Sequence, residues 1–206
     1  RGINQVQVNN KAGMTFAAAL RSILRADPDV VLIGEIRDQE TANIAIEASL
    51  TGHLVLSTLH TNDAPSAVTR LTEMGVEPFL LSSSLAAVMA QRLARRLCKK
   101  CKRQDTATEA ELRTLGVPHM PDTPLPTIWR PVGCRECANT GYSGRVAIQQ
   151  VMGVDSTMED LIARGATSID IDKAAKEQGM TTLRKDGWQK ALQGITSVEE
   201  VLRVTV

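Results

Sequence analysis

Aromatic residues are scarce in this 206-residue chain, at 2% of its composition. Proteins that bind single-stranded nucleic acid by stacking need exposed aromatic side chains, so the composition argues against that class. The 24 basic and 23 acidic residues give a formal net charge of +1, so bulk electrostatics do not argue for nucleic acid either. Hydrophobic residues make up 43% of the chain, enough for an aliphatic core of the kind that helices form on a sheet.

Long apolar runs are also missing. No run approaches the roughly 18 residues that a membrane-spanning helix needs, and no signal peptide opens the chain. A cytoplasmic protein is the simplest interpretation. The alternating pattern IxQVQV directly after Arg1 suggests that the sequence begins inside a larger protein, with a strand over 5–9.

The sequence contains no GxxxxGK[ST] phosphate loop. The glycines of TGYSGR (140–145) lack the Lys and the Ser or Thr that would reach phosphate and Mg²⁺. Taken alone, the chain is therefore not expected to cradle a nucleoside triphosphate in the usual way.

Two short apolar runs end in polar residues that a buried strand does not need. DPDVVLIGEIRD (27–38) places Glu35 after its run, and GHLVLSTLHTND (52–63) places Ser57, Thr58 and His60 after its own. Parallel α/β sheets bind ligands at the carboxyl ends of their strands, so an acid and a histidine there predict one side of a nucleotide site. The alternatives are a surface carboxylate for Glu35 and a hydrogen-bonded structural role for His60.

Helix signals alternate with these strands. Thr15, Asp38 and Asp63 are predicted N-caps, Pro65 lies in a first helical turn, and Gly75 ends that helix. The spacing predicts a parallel α/β sheet over residues 1–97. A long helix over 79–97 with a basic C-terminal end is predicted to close this part.

The amino-acid composition changes after residue 97. Residues 98–145 hold all four cysteines and five of the eight prolines, so they predict a loop-rich module, assigned to 98–150, that is too poor in apolar residues to build its own core. Residues 151–206 predict a small helical domain, with helices near 156–164, 170–178, 181–192 and 197–204. Ser197 and Glu200 have the spacing of a capping box.

The cysteines are spaced as Cys98-x-x-Cys101 and Cys134-x-x-Cys137. Two such pairs complete a tetrahedral thiolate site, which favours Zn²⁺, and four protein ligands leave no open position for catalysis. Two disulfides and a redox or iron–sulfur role are the alternatives, and the expected compartment makes disulfides unfavourable.

The segment LRADPDVVLIGEIRDQETANIAIEASLTGHLVLSTLHTNDAPSAVTRL (24–71) closely resembles the secretion ATPase superfamily, specifically the assembly ATPases of type IV pili and type II secretion. QRLARRLCKKC (91–101) and CRECANTGYSGR (134–145) are similar to that family's tetracysteine zinc module, which its retraction ATPases typically lack. GMTTLRKDGWQKALQGITSVEEVLRV (179–204) resembles the family's C-terminal helical signature. The likeness covers essentially the whole chain.

The resemblance implies a partial RecA-like sheet and an ATPase that uses ATP and Mg²⁺. Glu35 falls on the Walker B glutamate, which acts in water activation and Mg²⁺ binding. His53 and His60 fall on the two histidines of the histidine box, the second of which senses the γ-phosphate region. Arg37, in the same GEIRD segment as Glu35, is a further candidate for nucleotide binding.

The resemblance also implies partners and a setting. Family members form hexamers at the cytoplasmic face of the inner membrane and act with platform and adaptor proteins. Their Walker A segment, Asp box and arginine fingers lie upstream of this chain, which is therefore expected to be an inactive C-terminal fragment. The chain departs from the family at Gln150, where members usually carry Glu.

A rival hypothesis from another class is a non-enzymatic zinc-bearing interaction module that binds nucleic acid through a basic cluster. Its seven cations fall within twelve positions. They are Arg92, Arg95, Arg96, Lys99, Lys100, Lys102 and Arg103. No aromatic residues are interleaved with them, which favours a solvated or acidic-partner-facing surface instead.

Overall fold

The structure is a computed structural model that describes residues 2–205, except for the side chain of Asn10. It is a mixed α/β fold, in which helices and strands alternate in the first part of the chain. The helices are α1 (Phe16–Leu24), α2 (Gln39–Leu50), α3 (Ala64–Glu73), α4 (Pro78–Ser84), α5 (Glu109–Leu115), α6 (Ser156–Ala163), α7 (Ser168–Glu177), α8 (Leu183–Leu192) and α9 (Val198–Val204). The strands are β1 (Val30–Ile33), β2 (Leu54–Ser57), β3 (Ala87–Leu97), β4 (Arg103–Thr106), β5 (Thr127–Arg130) and β6 (Tyr142–Gly153).

Polar caps start the first three helices where the sequence predicts them. The Thr15 hydroxyl accepts a hydrogen bond from the Ala18 N–H at 3.2 Å. The carboxylates of Asp38 and Asp63 accept from the N–H groups three residues later, each at 2.8 Å. These oxygens satisfy backbone donors that the first turn of a helix leaves unpaired, which is why each helix begins there.

Strands β1 and β2 pair in parallel, as predicted, with Val30 opposite Leu54 and Ile33 opposite Ser57. One face of β1 is buried: Val31 and Ile33 pack with α1 and α2 residues in an apolar cluster that includes Leu20 and Ile44. The other face carries four exposed apolar side chains. They are Val30, Leu32, Leu54 and Leu56.

The predicted strand over 5–9 is wrong, because among these residues only Asn9 forms a β-bridge, with Met14. A segment with an alternating pattern forms a strand only where another strand lies beside it and pairs with its backbone.

The predicted long helix over 79–97 is also wrong. The helix ends at Ser84, and Ala87–Leu97 is instead strand β3, paired with β6. The residues of β3 are mostly strong helix formers, and its buried Ala90 and Ala94 repeat at a helical spacing. Pairing with β6 and burial of one face override that local preference.

The described chain divides into two compact units. The first holds the described residues up to Val88 together with Gly153–Ala175, and the second holds Met89–Met152 and the described residues from Lys176 onward. The predicted domain boundaries after residues 97 and 150 stay predictions. The predicted C-terminal helices are confirmed as α6, α7, α8 and α9.

The cysteine-bearing segment contributes to a shared core in the second unit. Residues 98–145 are predicted to be too poor in apolar residues to build a core of their own, and Leu112, Leu115 and Ile128 instead pack with residues of β3, β6, α8 and α9. The buried members of the cluster are Ala94, Ala107, Leu112, Leu115, Ile128, Ile148, Trp188, Ala191, Val198 and Val201.

Glu200 is the most deeply buried carboxylate of this unit, with a side chain that is 1% exposed. Its oxygens accept the Arg95 backbone N–H at 2.9 Å and guanidinium bonds from Arg95 at 2.6 Å and Arg203 at 2.7 Å and 2.8 Å. Only half of the predicted capping box forms: the Glu200 N–H donates to the Ser197 hydroxyl at 3.3 Å, while the Glu200 carboxylate is engaged by the two arginines. Glu200 therefore ties α9 to strand β3.

Burial raises the pKa of Glu200, but the bonds from Arg203 and Arg95 outweigh it and lower the pKa to about 2 from the ordinary 4.5. A carboxylate whose pKa is lower in the folded state stabilises the fold above the unfolded pKa and loses that effect as the pH falls towards 2.

No helix among the described residues is long and apolar enough to cross a membrane.

We predict that Glu200→Gln lowers the free energy of unfolding of the second unit by about 2 kcal/mol at pH 7. The loss is smaller than for a fully buried pair because both arginines are about half exposed. The difference between wild type and variant should shrink between pH 4.5 and pH 2. Urea unfolding followed by tryptophan fluorescence measures it, since both tryptophans, Trp129 and Trp188, lie in this unit.

The matched control is Glu109→Gln, which changes an exposed glutamate of α5 in the same unit. It should alter the free energy of unfolding little at any pH. A pH-independent difference between wild type and Glu200→Gln would contradict the prediction.

Candidate functional site

The register of β1 and β2 brings the predicted acid and histidine together. Ile33 and Ser57 are opposite each other, so the residues that follow them leave the sheet side by side. The nearer carboxylate oxygen of Glu35, Oε2, lies 3.4 Å from Nε2 of His60. The predicted meeting of these two side chains at the carboxyl edge of the sheet is observed.

An extra residue after β1 turns Glu35 away from the core. The Leu54 N–H donates to the Asp29 carbonyl at 3.0 Å, and a regular parallel ladder continued from there would bring the Glu35 N–H to Thr58. The Ile36 N–H donates to the Thr58 carbonyl instead, at 3.0 Å. Ile36 therefore packs against the core cluster that holds Val31 and Ile33, and Glu35 is released from that buried face.

Arg37 completes a small charged cluster. Its Nε lies 2.5 Å from Oε2 of Glu35, the same oxygen that faces His60. The Glu35 side chain is 30% exposed, whereas His60 is 89% exposed, so the cluster faces solvent here.

The hydrogen bond from Arg37 lowers the pKa of Glu35 against a smaller opposing effect of desolvation. Glu35 is thus an ionised carboxylate at neutral pH. Its Oε2 faces the Arg37 guanidinium and the His60 imidazole, and the side chain remains partly exposed to solvent. This arrangement can accept a proton or a hydrogen bond from a water molecule.

His53 lies at the other end of β2. It precedes Leu54, so the four residues of β2, or roughly 13 Å, separate it from the carboxyl end of the strand, beyond which His60 lies. Its Nδ1 lies 3.0 Å from the Ala48 carbonyl and 3.2 Å from the Thr51 hydroxyl, while its Nε2 is buried without a hydrogen-bond partner. The structure does not bring His53 together with Glu35, and its role in nucleotide binding stays a prediction.

The four cysteines form one cluster. Their Sγ atoms all lie within 4.8 Å of one another, and three of the separations are 3.7 Å, 3.8 Å and 3.9 Å. A tetrahedral ion with metal–sulfur bonds of about 2.3 Å requires separations of about 3.8 Å, whereas a disulfide requires about 2.05 Å. The geometry fits four ligands around one ion and excludes disulfides in this structure.

Backbone N–H groups point at two of these sulfurs. Gly133 donates to Sγ of Cys101 at 3.3 Å, and Cys134 and Gly141 donate to Sγ of Cys137, each at 3.2 Å. Gly133 and Gly141 have positive φ, and a Cβ on either would meet neighbouring backbone or proline atoms at 2.5–2.8 Å. The two glycines therefore let the chain turn closely around the sulfurs, a role that sequence reasoning missed although both flank the second Cys pair.

The thiols differ in acidity. Burial raises the pKa of Cys101 to about 11. Burial also opposes ionisation of Cys137, but the N–H bonds from Cys134 and Gly141 outweigh it and lower its pKa to about 6. Donors that stabilise a thiolate suit a metal ligand, because metal binding requires deprotonated cysteine.

The basic cluster of the rival hypothesis is partly used inside the second unit. Arg95 is bound to Glu200 and its guanidinium lies 4.2 Å from the centroid of the Tyr142 ring. Lys102 donates to the Gly194 carbonyl at 2.7 Å and lies 4.3 Å from the centroid of the Trp129 ring. At least two of the seven cations, Arg95 and Lys102, therefore have partners within the second unit.

Comparisons with known proteins agree on one family. The family model described as "Type II/IV secretion system protein" matches residues 1–203. The chain is 52% identical to the type IV pilus assembly ATPase PilB of Thermus thermophilus over 205 residues, covering 100% of this chain and 23% of that protein. It is 55% identical to the type II secretion system protein E of Pseudomonas aeruginosa over 204 residues, covering 99% of this chain and 40% of that protein.

Solved structures share the fold. The pilus retraction motor PilT with bound ADP matches with a TM-score of 0.63 and 24% identity, covering 92% of this chain and 43% of that one. The Legionella pneumophila ATPase DotB matches with a TM-score of 0.61 and 21% identity, covering 91% of this chain and 41% of that one.

The chain spans between about a quarter and two fifths of the length of these curated relatives. The family match nevertheless extends over nearly all of it, and the identity exceeds 50%. This chain belongs to the type II/IV secretion system protein family.

Proposed function

We propose that the protein containing this chain hydrolyses ATP to power the assembly of a pilus or pseudopilus, and that this chain supplies the groups that act on the attacking water. The observation that carries the proposal is the ionised and partly exposed Glu35 carboxylate, whose Oε2 lies beside Arg37 and His60. The names of the relatives, a type IV pilus assembly ATPase and a type II secretion protein E, support the same class of motor.

Phosphoryl transfer to water depends on positioning and charge more than on covalent chemistry. In the proposed mechanism the Glu35 carboxylate accepts a hydrogen bond from the water and directs its oxygen towards the γ-phosphate. Arg37 keeps the carboxylate ionised, because protonation would cost the Arg37–Glu35 bond. His60, beside the same carboxylate, contacts the γ-phosphate region and couples its presence to the position of Glu35.

Glu35 also suits Mg²⁺, which prefers carboxylate oxygens and keeps several waters. Bound there, Mg²⁺ would neutralise charge on the phosphates. Arg37 and His53 are proposed to contribute to nucleotide binding, Arg37 from the cluster itself and His53 from the far end of β2.

The remaining parts of the site are proposed to come from outside this chain. A phosphate loop is absent from the 206 residues, so this chain alone should be inactive. The complete protein is proposed to work as a homo-hexamer, peripheral to the cytoplasmic face of the inner membrane, with platform and adaptor proteins of the secretion machine. We expect no role in nucleic-acid binding.

We further propose that Cys98, Cys101, Cys134 and Cys137 bind one Zn²⁺ in a structural site. The sulfur separations and the N–H donors to two of the sulfurs support this assignment. Four thiolate ligands leave no coordination position for water, so the ion would hold the two turns together and take no part in hydrolysis.

We predict that Glu35→Gln in the full-length protein lowers kcat for ATP hydrolysis about a hundredfold or more, because a neutral amide oxygen accepts a weaker hydrogen bond from the water than an ionised carboxylate does. ATP binding should remain within about twofold, since the substitution keeps the shape and the phosphates are held elsewhere. Steady-state turnover and titration with a fluorescent ATP analogue measure the two quantities.

Glu47→Gln is the matched control, as Glu47 is an exposed residue of α2. Its turnover should equal that of wild type. Full turnover in Glu35→Gln would remove Glu35 from the mechanism.

We predict one tightly bound Zn²⁺ per chain in elemental analysis of the purified, reduced protein. Cys134→Ser should lower the zinc content and expose residues 98–145 to protease before residues 15–75. The first cuts are expected near 133–141, where Ala138 and Asn139 have left-handed conformations and the Gly141 N–H donates to the Cys137 sulfur. Mass spectrometry of a limited digest locates these cuts.

Ser143→Ala, an exposed change in β6 close to the second Cys pair, should keep both the zinc and the protease resistance. Zinc-free protein in which all four thiols react with an alkylating reagent under native conditions would disprove the site.

A further inference from the structure

Thr58 is bonded to the chain on both sides of Glu35. Its hydroxyl donates to the Gly34 carbonyl at 2.7 Å. Its own carbonyl accepts the Ile36 N–H at 3.0 Å. The residue before Glu35 and the residue after it are therefore both held by one residue of the neighbouring strand end.

The extra residue after β1 changes which backbone groups bond to Thr58. A regular ladder would hold Glu35 through its own N–H, but here the ladder bond to the Thr58 carbonyl comes from Ile36. The carbonyl of Gly34 turns to the Thr58 hydroxyl. That second bond joins the backbone on the N-terminal side of Glu35 to the residue that follows β2.

The two bonds from Thr58 affect the position of the Glu35 carboxylate, on which the proposed mechanism depends. Oε2 of Glu35 meets Arg37 and His60, and His60 follows Thr58 by two residues, so Thr58 links the two halves of the cluster. Thr is β-branched and stiff at χ1, which holds its hydroxyl in one direction. A misplacement of a reacting group by about 1 Å is enough to cost on the order of a hundredfold in rate.

We propose that Thr58 is a positioning residue for Glu35: its hydroxyl bond to Gly34 fixes the turn that aims the Glu35 carboxylate at the attacking water. The inference rests on the proposed function and deepens it. Thr58 acts through Glu35 and is not itself given contact with water or nucleotide.

The test compares Thr58→Val with Thr58→Ser in the full-length protein. Valine keeps the branched shape and removes the hydroxyl, whereas serine keeps the hydroxyl and removes the methyl group. The backbone bond to Ile36 remains in both. Thr58→Val should lower kcat about tenfold, with the KM for ATP and the ATP affinity within about twofold and an unchanged melting temperature. Thr58→Ser should retain at least half of the wild-type kcat.

A double-mutant comparison separates positioning from a general structural effect. Because Thr58 acts through Glu35, Thr58→Val added to Glu35→Gln should lower the residual turnover by less than about twofold. Thr72→Val is the matched control: it removes a hydroxyl bond of 3.1 Å to the Val68 carbonyl in α3 and should leave turnover unchanged.

The inference is overturned by wild-type kcat in Thr58→Val, by equal losses in the Val and Ser variants, or by a loss confined to ATP binding or melting temperature. A full tenfold loss on the Glu35→Gln background would also overturn it. Full turnover in Glu35→Gln itself would mean that the proposed function fails. Loss in Glu35→Gln with none in Thr58→Val would leave that function standing and remove only Thr58.

Discussion

Parallel pairing between β1 and β2 is the constraint on which the candidate site depends. The two strands enter from different helices and meet in a register that sets Ile33 opposite Ser57. Glu35, Arg37 and His60 all follow within four residues of the ends of these strands, beyond the regular pairing. The buried face of β1 anchors this edge, because Val31 and Ile33 pack with α1 and α2 and cannot slip without exposing their side chains.

The second unit relies on a different kind of constraint. Its apolar cluster is aliphatic apart from Trp188, and polar contacts reinforce it at several points. Glu200 joins α9 to β3, Arg130 meets Asp105, Glu111 and Glu199, and four sulfurs gather at the two Cys turns. Such contacts are directional, so they specify how segments with little regular structure lie against one another.

How far the sequence predicts this structure depends on whether the deciding interaction is local. Caps at Thr15, Asp38 and Asp63 act within one turn and are readable from the residues. The Cys spacing likewise predicts the cluster that the structure shows. Strand β3 could not be predicted, since its residues favour a helix and only pairing with β6 decides otherwise. Glu200 is a similar case: its spacing from Ser197 predicts a capping box, but its carboxylate binds Arg95, which is distant in the sequence. The extra residue beside Glu35 is likewise recognised only when β1 and β2 are in register.

The outer face of the β1–β2 pair has a practical consequence. Val30 stands opposite Leu54 and Leu32 opposite Leu56, so four aliphatic side chains form a continuous exposed strip with no charged residue among them. Surfaces of this kind promote self-association, and unpaired strand edges add to that tendency. Handling this chain by itself at high concentration therefore calls for conditions that suppress aggregation, such as low protein concentration or a solubilising fusion partner.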